Sequence, residues 1–506
     1  MKLSVFRDPP VVWPSGLSAL GAILIVVGAT IVSPLVALPF YPREVVYAGA
    51  YLIPGVSALF SGISMILIGK FSRRKMRVMP IGERDATLVV VAGWVIAFLV
   101  GAAPIASSTG LDFARSVFES VSGWTTTGLS VVDVEKAPRL LLLYRSTIQL
   151  VGGAGLAIAM LSVFGSSSGM GIARAEGRTY QLAPQVAHSA SLVVRLYAGY
   201  AIGGSILLAL SGMSIFDAIN HAFAAVSTGG FSTRYLSIGY WDSPMIEAAT
   251  IVLMILGNLN FITAFVLVRG KFRAFWKNGE VRLLAVAIGI ASVLIFGLAV
   301  RGMYGSLSKE IRVAVFETVT AITTTGFSTV GYTDWKPVGV HILIILMSIG
   351  GGVCSTAGGI KQLRVVILLK SALREVRRQC LPRNAVLVDR IFIGEDETFV
   401  GDRKIAEAGA FAFVYIAALS LGAAILVVGG YEFLPALFEF ASALGTVGLS
   451  VGVTSVSAPD SVIWAMSVGM FLGRLEFFAV FASIAYAGNR IAKVAGRYVA
   501  ASHLGL

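Results

Sequence analysis

Apolar runs long enough to cross a bilayer alternate along this chain with apolar runs that are too short to do so. Spanning-length runs stand at 15–38 and 45–69, and a third extends from 86 to about 104. A helix needs about 20 consecutive apolar residues to cross the hydrocarbon. Residues 112–124 are apolar but number only about thirteen, so they read as a re-entrant helix that enters and leaves by the same face. The run 139–164 then crosses back. The order span, short segment, span returns from Leu192, Phe216 and Met245, from Leu283, Arg312 and Val338, and from Ala408, Pro435 and Val462. The pattern predicts ten spans and four re-entrant helices.

After each short segment comes the same motif, Thr-x-Gly-(Leu/Phe)-Ser. Its copies are Thr126-Thr127-Gly128-Leu129-Ser130, Thr228-Gly229-Gly230-Phe231-Ser232, Thr324-Thr325-Gly326-Phe327-Ser328 and Thr446-Val447-Gly448-Leu449-Ser450. Successive glycines are separated by 102, 96 and 122 residues. Nine residues before each glycine stand Glu119, His221, Glu317 and Glu439, and six and five before it stand small residues. Some 24 to 27 residues after it a glycine interrupts an apolar run, at Gly152, Gly257, Gly350 and Gly473. One copy would be an ordinary turn; four with shared surroundings are an internal repeat. The chain divides into an N-terminal hairpin with a basic link (1–80) and repeats at 81–170, 171–275, 276–375 and 376–506, the last beginning with a basic segment.

Composition turns this pattern into a class. Of 506 residues 56% are hydrophobic and 13% charged, with mean hydropathy +0.84. Soluble domains carry about 25% charged residues, so the expected fold is an all-α polytopic membrane protein with four pseudo-symmetric helix–pore loop–helix repeats around one central pore. Two cysteines support neither a disulfide framework nor a zinc cluster. With both termini cytoplasmic, 29 Lys/Arg fall inside, nine outside and two within spans. That strong positive-inside bias predicts a multi-pass protein of the plasma (inner) membrane with all four motifs on the extracellular side. The net charge of +13 then reports orientation and contact with lipid headgroups, and needs no nucleic-acid partner.

Irregular backbone cannot face lipid, because each unpaired amide or carbonyl costs several kcal/mol. Four such loops at membrane depth must be buried or line water. Around one axis they make a ring of backbone carbonyls, with glycine allowing the necessary dihedral angles and threonine adding hydroxyl oxygen. Such a ring replaces the hydration shell of a monovalent cation, as Thr-Val-Gly-Tyr-Gly loops do for potassium, and Thr446-Val447-Gly448 is close to that sequence. The candidate filter is therefore Thr126, Thr127, Gly128, Thr228, Gly229, Gly230, Thr324, Thr325, Gly326, Thr446, Val447 and Gly448, with a potassium ion as ligand and no organic cofactor.

These motifs resemble those of the Trk/Ktr/HKT superfamily of potassium transporters, and nearly the whole chain looks like its TrkH-type subunit. The resemblance extends to Arg145-x-x-x-Gln149-x-x-Gly152-Gly153, to Gly351-Gly-Val-Cys-Ser-Thr-Ala-Gly-Gly-Ile-Lys361 and to Leu472-Gly473-Arg474-Leu475-Glu476. It implies potassium uptake, an intramembrane loop beneath the filter, and a homodimer docked on a cytosolic ring of TrkA-type nucleotide-binding subunits. Serine at the first filter position accompanies sodium selectivity in plant HKT relatives, so Gly128 favours potassium. Gly229 departs from the threonine of two other copies. Docking surfaces for the ring are 165–188, 269–282, 361–404 and the tail from 489, the third carrying ten Lys/Arg.

Two features point to a gate. Gly350, Gly351, Gly352, Gly358 and Gly359 lie in one apolar helix, and each glycine costs about 1 kcal/mol there relative to alanine. The segment either breaks and lines a cavity or packs closely against another helix. Arg474 sits within the last span and must face the bundle interior. It reads either as a barrier to cations or as a buried structural ion pair; Glu476 lies on nearly the opposite helix face and is a poor partner for it. Arg145 is expected to pair with Glu119 or another pore-helix carboxylate, and His221 to act as a hydrogen-bonder rather than a metal ligand. Sodium-permeable and proton- or sodium-coupled transport remain alternatives. A conventional substrate-binding transporter would show inverted repeats, and an enzyme a nucleotide loop or metal cluster that the sequence lacks.

Overall fold

The computed structural model describes residues 13–75, 83–154, 186–353, 355–382, 390–393 and 396–489. The expected continuation of the fourth span at 155–164, nearly all of the basic segment 165–188 and the tail beyond 489 lie outside them.

The N-terminal hairpin pairs α1 (Trp13–Val32) with α2 (Ala48–Lys75). Glycines seven residues apart on both helices bring the backbones together. A Cβ at Gly28 would lie 2.7 Å from the Gly55 carbonyl oxygen, and one at Gly21 would lie 2.6 Å from that of Gly62. Lipid supplies no hydrophobic force between helices, so small residues that permit this approach do the packing. Between α1 and α2, Glu44 accepts from the backbone N–H groups of Arg139 and Leu140, both at 2.8 Å. It thereby caps the first helix after the first glycine motif.

Four repeats follow. The first is α3 (Glu83–Thr109), the short α4 (Phe113–Trp124) and α5 (Arg139–Ala154). The second is α6 (Val186–Leu210), the short α7 (Ile215–Val226), then α8 (Pro244–Asn258) and α9 (Phe261–Val268). After α10 (Phe272–Lys277), the third is α11 (Gly279–Ile295), α12 (Leu307–Ile322) and α13 (Pro337–Ile349), and α14 (Gln362–Gln379) leads away from it. The fourth is α15 (Asp402–Val428), the short α16 (Phe433–Leu444), α17 (Asp460–Leu475) and α18 (Phe477–Asn489). The helix after each motif packs on the short helix of the next repeat: α5 on α7, α8 on α12, α13 on α16 and α17 on α4. The last of these contacts closes the circle.

Three observations refine the sequence pattern. Among the described residues six helices are long and apolar enough to cross a membrane, and up to eight spans result if two bent pairs each count as one, against the ten expected. The shortfall is α13, which stops after 13 residues, and α5, described only to Ala154. The bent pairs are α8–α9, at 118°, and α17–α18, at 101°. The breaks fall at Leu259 and Asn260, where the backbone is extended, and at Glu476, which has φ +58°. The expected all-helical chain also contains a small antiparallel ribbon, β1 (Arg390–Ile393) with β2 (Asp396–Phe399), in the basic segment before α15.

The glycines that follow each motif mark where helices pass one another. A Cβ at Gly152 would overlap the carbonyl oxygen of Trp124, one at Gly257 would lie 2.6 Å from that of Val226, and one at Gly473 would overlap that of Leu444. Those three oxygens belong to the last residues of α4, α7 and α16. Gly350 differs, because its helix ends there and its neighbour is Gly358. Overpacking such a contact costs about 1–3 kcal/mol. Gly257→Ala and Gly473→Ala should therefore lower the thermal midpoint of the purified protein, while Gly289→Ala, with nothing within 4 Å of its Cβ, should leave it unchanged or raised. Equal midpoints for all three would contradict this packing.

Candidate functional site

Each short helix ends in the same turn, and the turn is the motif. The residue after the helix is right-handed, at Thr125, Ser227, Thr323 and Gly445. The next is a left-handed threonine, with φ +58° at Thr126, +52° at Thr228, +52° at Thr324 and +50° at Thr446. Two residues on, Gly128, Gly230, Gly326 and Gly448 again have positive φ, between +71° and +100°. In the first repeat Thr126 N–H donates to Gly123 O at 3.1 Å and Thr127 N–H to Ser122 O at 2.9 Å. The other three repeats make the same two bonds to Ala225 and Ala224, Ala321 and Thr320, and Ala443 and Ser442. This is the Schellman ending, with threonine where glycine is usual. It explains the small residues at six and five before the glycine, which are the acceptors.

The four loops meet. A Cβ at Gly128 would overlap the carbonyl oxygen of Gly229; Gly230 stands in the same relation to Thr325, Gly326 to Val447, and Gly448 to Thr127. Each glycine thus abuts the carbonyl just before the glycine of the next repeat, and the fourth returns to the first. All four glycines line one open cavity of about 460 Å³, together with Arg145 and Arg234.

The outgoing limb of each loop is held by the residue nine before the glycine. Glu119 accepts from Ser130 Oγ at 2.5 Å, Val131 N at 2.6 Å and Val132 N at 3.0 Å. Glu439 accepts from Ser450 Oγ at 2.8 Å, Val451 N at 3.0 Å and Thr454 N at 2.9 Å. Glu317 accepts from Thr329 N at 2.8 Å and from the Tyr332 hydroxyl. His221 does the same with a ring, Nε2 meeting Ser232 Oγ at 2.9 Å and Nδ1 lying 2.8 Å from Asp217 O. All four side chains are fully buried, and several charge-assisted bonds each offset the desolvation of a carboxylate there. Arg145 lies 3.5 Å from Glu119, donates to Ser130 Oγ at 2.7 Å and stacks over Phe231. Beyond the ring, salt bridges tie neighbouring repeats: Asp242 to Lys309 and Arg312, and Asp460 to Arg115. The Lys309 and Arg312 partners hold the Asp242 carboxyl below its ordinary pKa.

On the other side of the ring lies the glycine-rich segment 350–361. Its described residues are not helical: α13 stops at Ile349, α14 starts at Gln362, and Gly350, Gly359 and Lys361 have φ of +69°, +74° and +70°. The segment is bonded to the loops it underlies. Thr356 Oγ1 donates to Gly257 O at 2.9 Å and accepts from Thr228 Oγ1 at 3.1 Å; Gly358 N–H donates to Thr324 Oγ1 at 3.1 Å. A Cβ at Gly358 would overlap Thr446 Oγ1. Arg474, from α17, donates through Nη1 to Thr356 O and through Nη2 to Gly152 O at 2.6 Å, and its Nη1 lies 3.5 Å from Thr126 Oγ1. The four left-handed threonines therefore all present their hydroxyls to this segment or to Arg474.

A family model described as TrkH, cation transport protein, matches residues 56–487. The chain belongs to the TrkH family. It is similar to the Trk system potassium uptake protein TrkH of Vibrio parahaemolyticus, 31% identical over 91% of this chain and 96% of the relative. It is also similar to that of Escherichia coli, 30% identical over 86% of this chain and 95% of the relative. Among solved structures, the crystal structure of the potassium transporter TrkH from Vibrio parahaemolyticus superposes with a TM-score of 0.78 at 28% identity, covering 93% of this chain and 98% of that one.

In this TrkH family member the residues picked out as a filter lie in the four abutting loops, and those picked out as a gate lie in the segment bonded to them and at Arg474. Four participants have partners that the sequence patterns do not assign, although Gln149, Thr356 and Glu476 stand within the quoted motifs. Thr356 ties the broken segment to two repeats. Gln149 reaches from α5 to the second loop. Glu476 takes Arg364 of α14 as its partner, at 2.6 Å. Glu280, at the start of α11, accepts from Val353 N–H at 2.8 Å. No local spacing flags them, because each bonds a residue at least 73 positions away.

Proposed function

We propose that this chain carries potassium ions into the cell across the plasma membrane, with both termini cytoplasmic and the four-loop cavity facing outward. The observation that supports it most is the cyclic contact of Gly128, Gly230, Gly326 and Gly448 with the carbonyls of Gly229, Thr325, Val447 and Thr127. A closed ring of backbone oxygens is what replaces water around a monovalent cation. Below it, the hydroxyls of Thr126, Thr228, Thr324 and Thr446 supply a second layer. Thr446 Oγ1 is buried without a hydrogen-bond partner, as suits an oxygen reserved for an ion.

In this reading the segment 350–361 and Arg474 form the gate, and the conformation described is closed. Segment 350–361 bonds the lower threonines directly, and a guanidinium next to Thr126 repels an arriving cation in a poorly screened site. Opening requires Arg474 to leave Thr356 and Gly152. The basic helix α14 continues the gate segment, so a TrkA-type ring docked on 361–404 of a homodimer would pull on it without an intervening domain.

Ion-substitution flux in vesicles containing the purified chain tests the reading. Potassium should permeate in preference to sodium. Flux of sodium alone, or obligatory coupling to protons or sodium, would favour the alternative transporters; no cation flux from either the parent or Arg474→Ala would reject the reading. At Gly128, φ is +95° and a side chain meets the Gly229 carbonyl. A left-handed L-residue costs about 1–2 kcal/mol, so Gly128→Ser should reduce the potassium-to-sodium permeability ratio roughly tenfold. An unchanged ratio would remove Gly128 from the filter. Arg474→Ala should raise basal potassium flux by about tenfold or more by removing one unit charge and the tie to Thr356. A folded variant conducting no faster than the parent would place the gate elsewhere.

A further inference from the structure

The second loop differs from the others at the residue before its ring glycine. In the first and third loops that residue is threonine, and its hydroxyl bonds a threonine two residues earlier: Thr127 to Thr125 and Thr325 to Thr323, both at 2.8 Å. In the fourth it is Val447, fully buried. In the second it is Gly229, whose φ is not positive, so backbone conformation does not demand glycine there.

The space is demanded instead. A Cβ at Gly229 would lie 2.6 Å from Oε1 and 2.8 Å from Nε2 of Gln149. Gln149, on α5 of the first repeat, is fully buried. Its Nε2 donates to Gly229 O at 2.5 Å and its Oε1 accepts from Phe231 N–H at 3.2 Å. The amide therefore spans Gly230 on both sides and fixes two consecutive peptide planes of the loop. Gly229 O is also the oxygen that abuts Gly128. Since a carbonyl oxygen has two lone pairs, a donor on one sets both the direction and the strength with which the other faces the ring.

We propose that Gln149 is the specificity-determining side chain of the second loop. Supplied by the neighbouring repeat, it occupies the volume that Gly229 leaves and holds the Gly229 carbonyl at its place in the ring. The proposal rests on the ring being an ion filter. It makes Gln149 and Gly229 a reciprocal pair: a side chain at 229 is excluded only while Gln149 is present.

The test is a mutant cycle on the full-length chain, read by potassium and sodium permeability in vesicles and by thermal midpoint in detergent. Gln149→Leu keeps the bulk and loses both bonds, and should lower the potassium-to-sodium ratio roughly fivefold, the equivalent of one hydrogen bond. Gly229→Thr should impair both midpoint and selectivity. Combining it with Gln149→Ala should recover at least half of each loss, because threonine then enters a vacated space. A folded Gln149→Leu with the parent's ratio overturns the proposal, since a purely structural glutamine would shift the midpoint and leave selectivity alone. So does a double variant no better than Gly229→Thr. If Gln149→Leu does not fold, the potassium-to-sodium ratios of Gly229→Thr and the double variant decide by the same rule. Absence of selective cation flux in both the parent and Arg474→Ala overturns the filter reading and this inference together; selective flux with an insensitive Gln149→Leu overturns only the inference.

Discussion

The structure depends on one strained residue used four times, a left-handed threonine at the end of a short buried helix. Holding an L-residue there costs about 1–2 kcal/mol, and the surroundings recover it. Two Schellman bonds satisfy helix-end carbonyls that would otherwise be orphaned in an apolar region. The turn then redirects the chain so that the carbonyl before each ring glycine reaches the next repeat. Once that geometry is set, the buried residue nine before the glycine has a fixed task, to hold the limb that leaves. Glutamate accepts several N–H and O–H donors at once, and His221 is sufficient where the second loop is also braced by Gln149.

The same constraint organises the layer beneath the ring. A loop with unpaired amides inside the membrane must bond something, and the segment 350–361 bonds the threonines and helix ends above it. It is held from below by Glu280, through Val353, and by Gln362, which reaches Asn258 and Gly350. Arg474 completes the layer by donating to backbone carbonyls of two different segments. Two residues later the backbone turns left-handed at Glu476, and that carboxylate grips Arg364 at the start of α14. The break in the last span and the exit of the broken segment are therefore joined by one ion pair. Two helices leading toward the basic side are linked at the level where the arginine sits.

Much of this was legible because the repeat signals are local. The short apolar segments, the glycine motif and the acid at minus nine lie within 20 residues of one another, and each corresponds to one turn of structure. The glycines at 152, 257 and 473 are visible in sequence as interruptions, and their cause is the helix ends they admit. What escaped is relational. Nothing near Leu259 or Glu476 announces a bend of 118° or 101°, because the bends are set by what packs across them. Gly229 looks like a lapse in the pattern until Gln149, 80 residues earlier, is placed beside it. The seven-residue glycine spacing of α1 and α2 was present in the sequence all along and specifies their close packing. Arg474 donates to the carbonyls of Thr356 and Gly152, a tie to the segment read as a gate that its place in the sequence does not announce.

The central claim is that the four loops form one ion site. It is tested most directly by locating the ion in crystals of the protein grown in rubidium, using anomalous scattering at the rubidium edge. The account predicts anomalous density on the axis enclosed by the carbonyls of Thr127, Gly229, Thr325 and Val447, lost when rubidium is replaced by sodium. An empty ring, with the anomalous density elsewhere or absent, would contradict it.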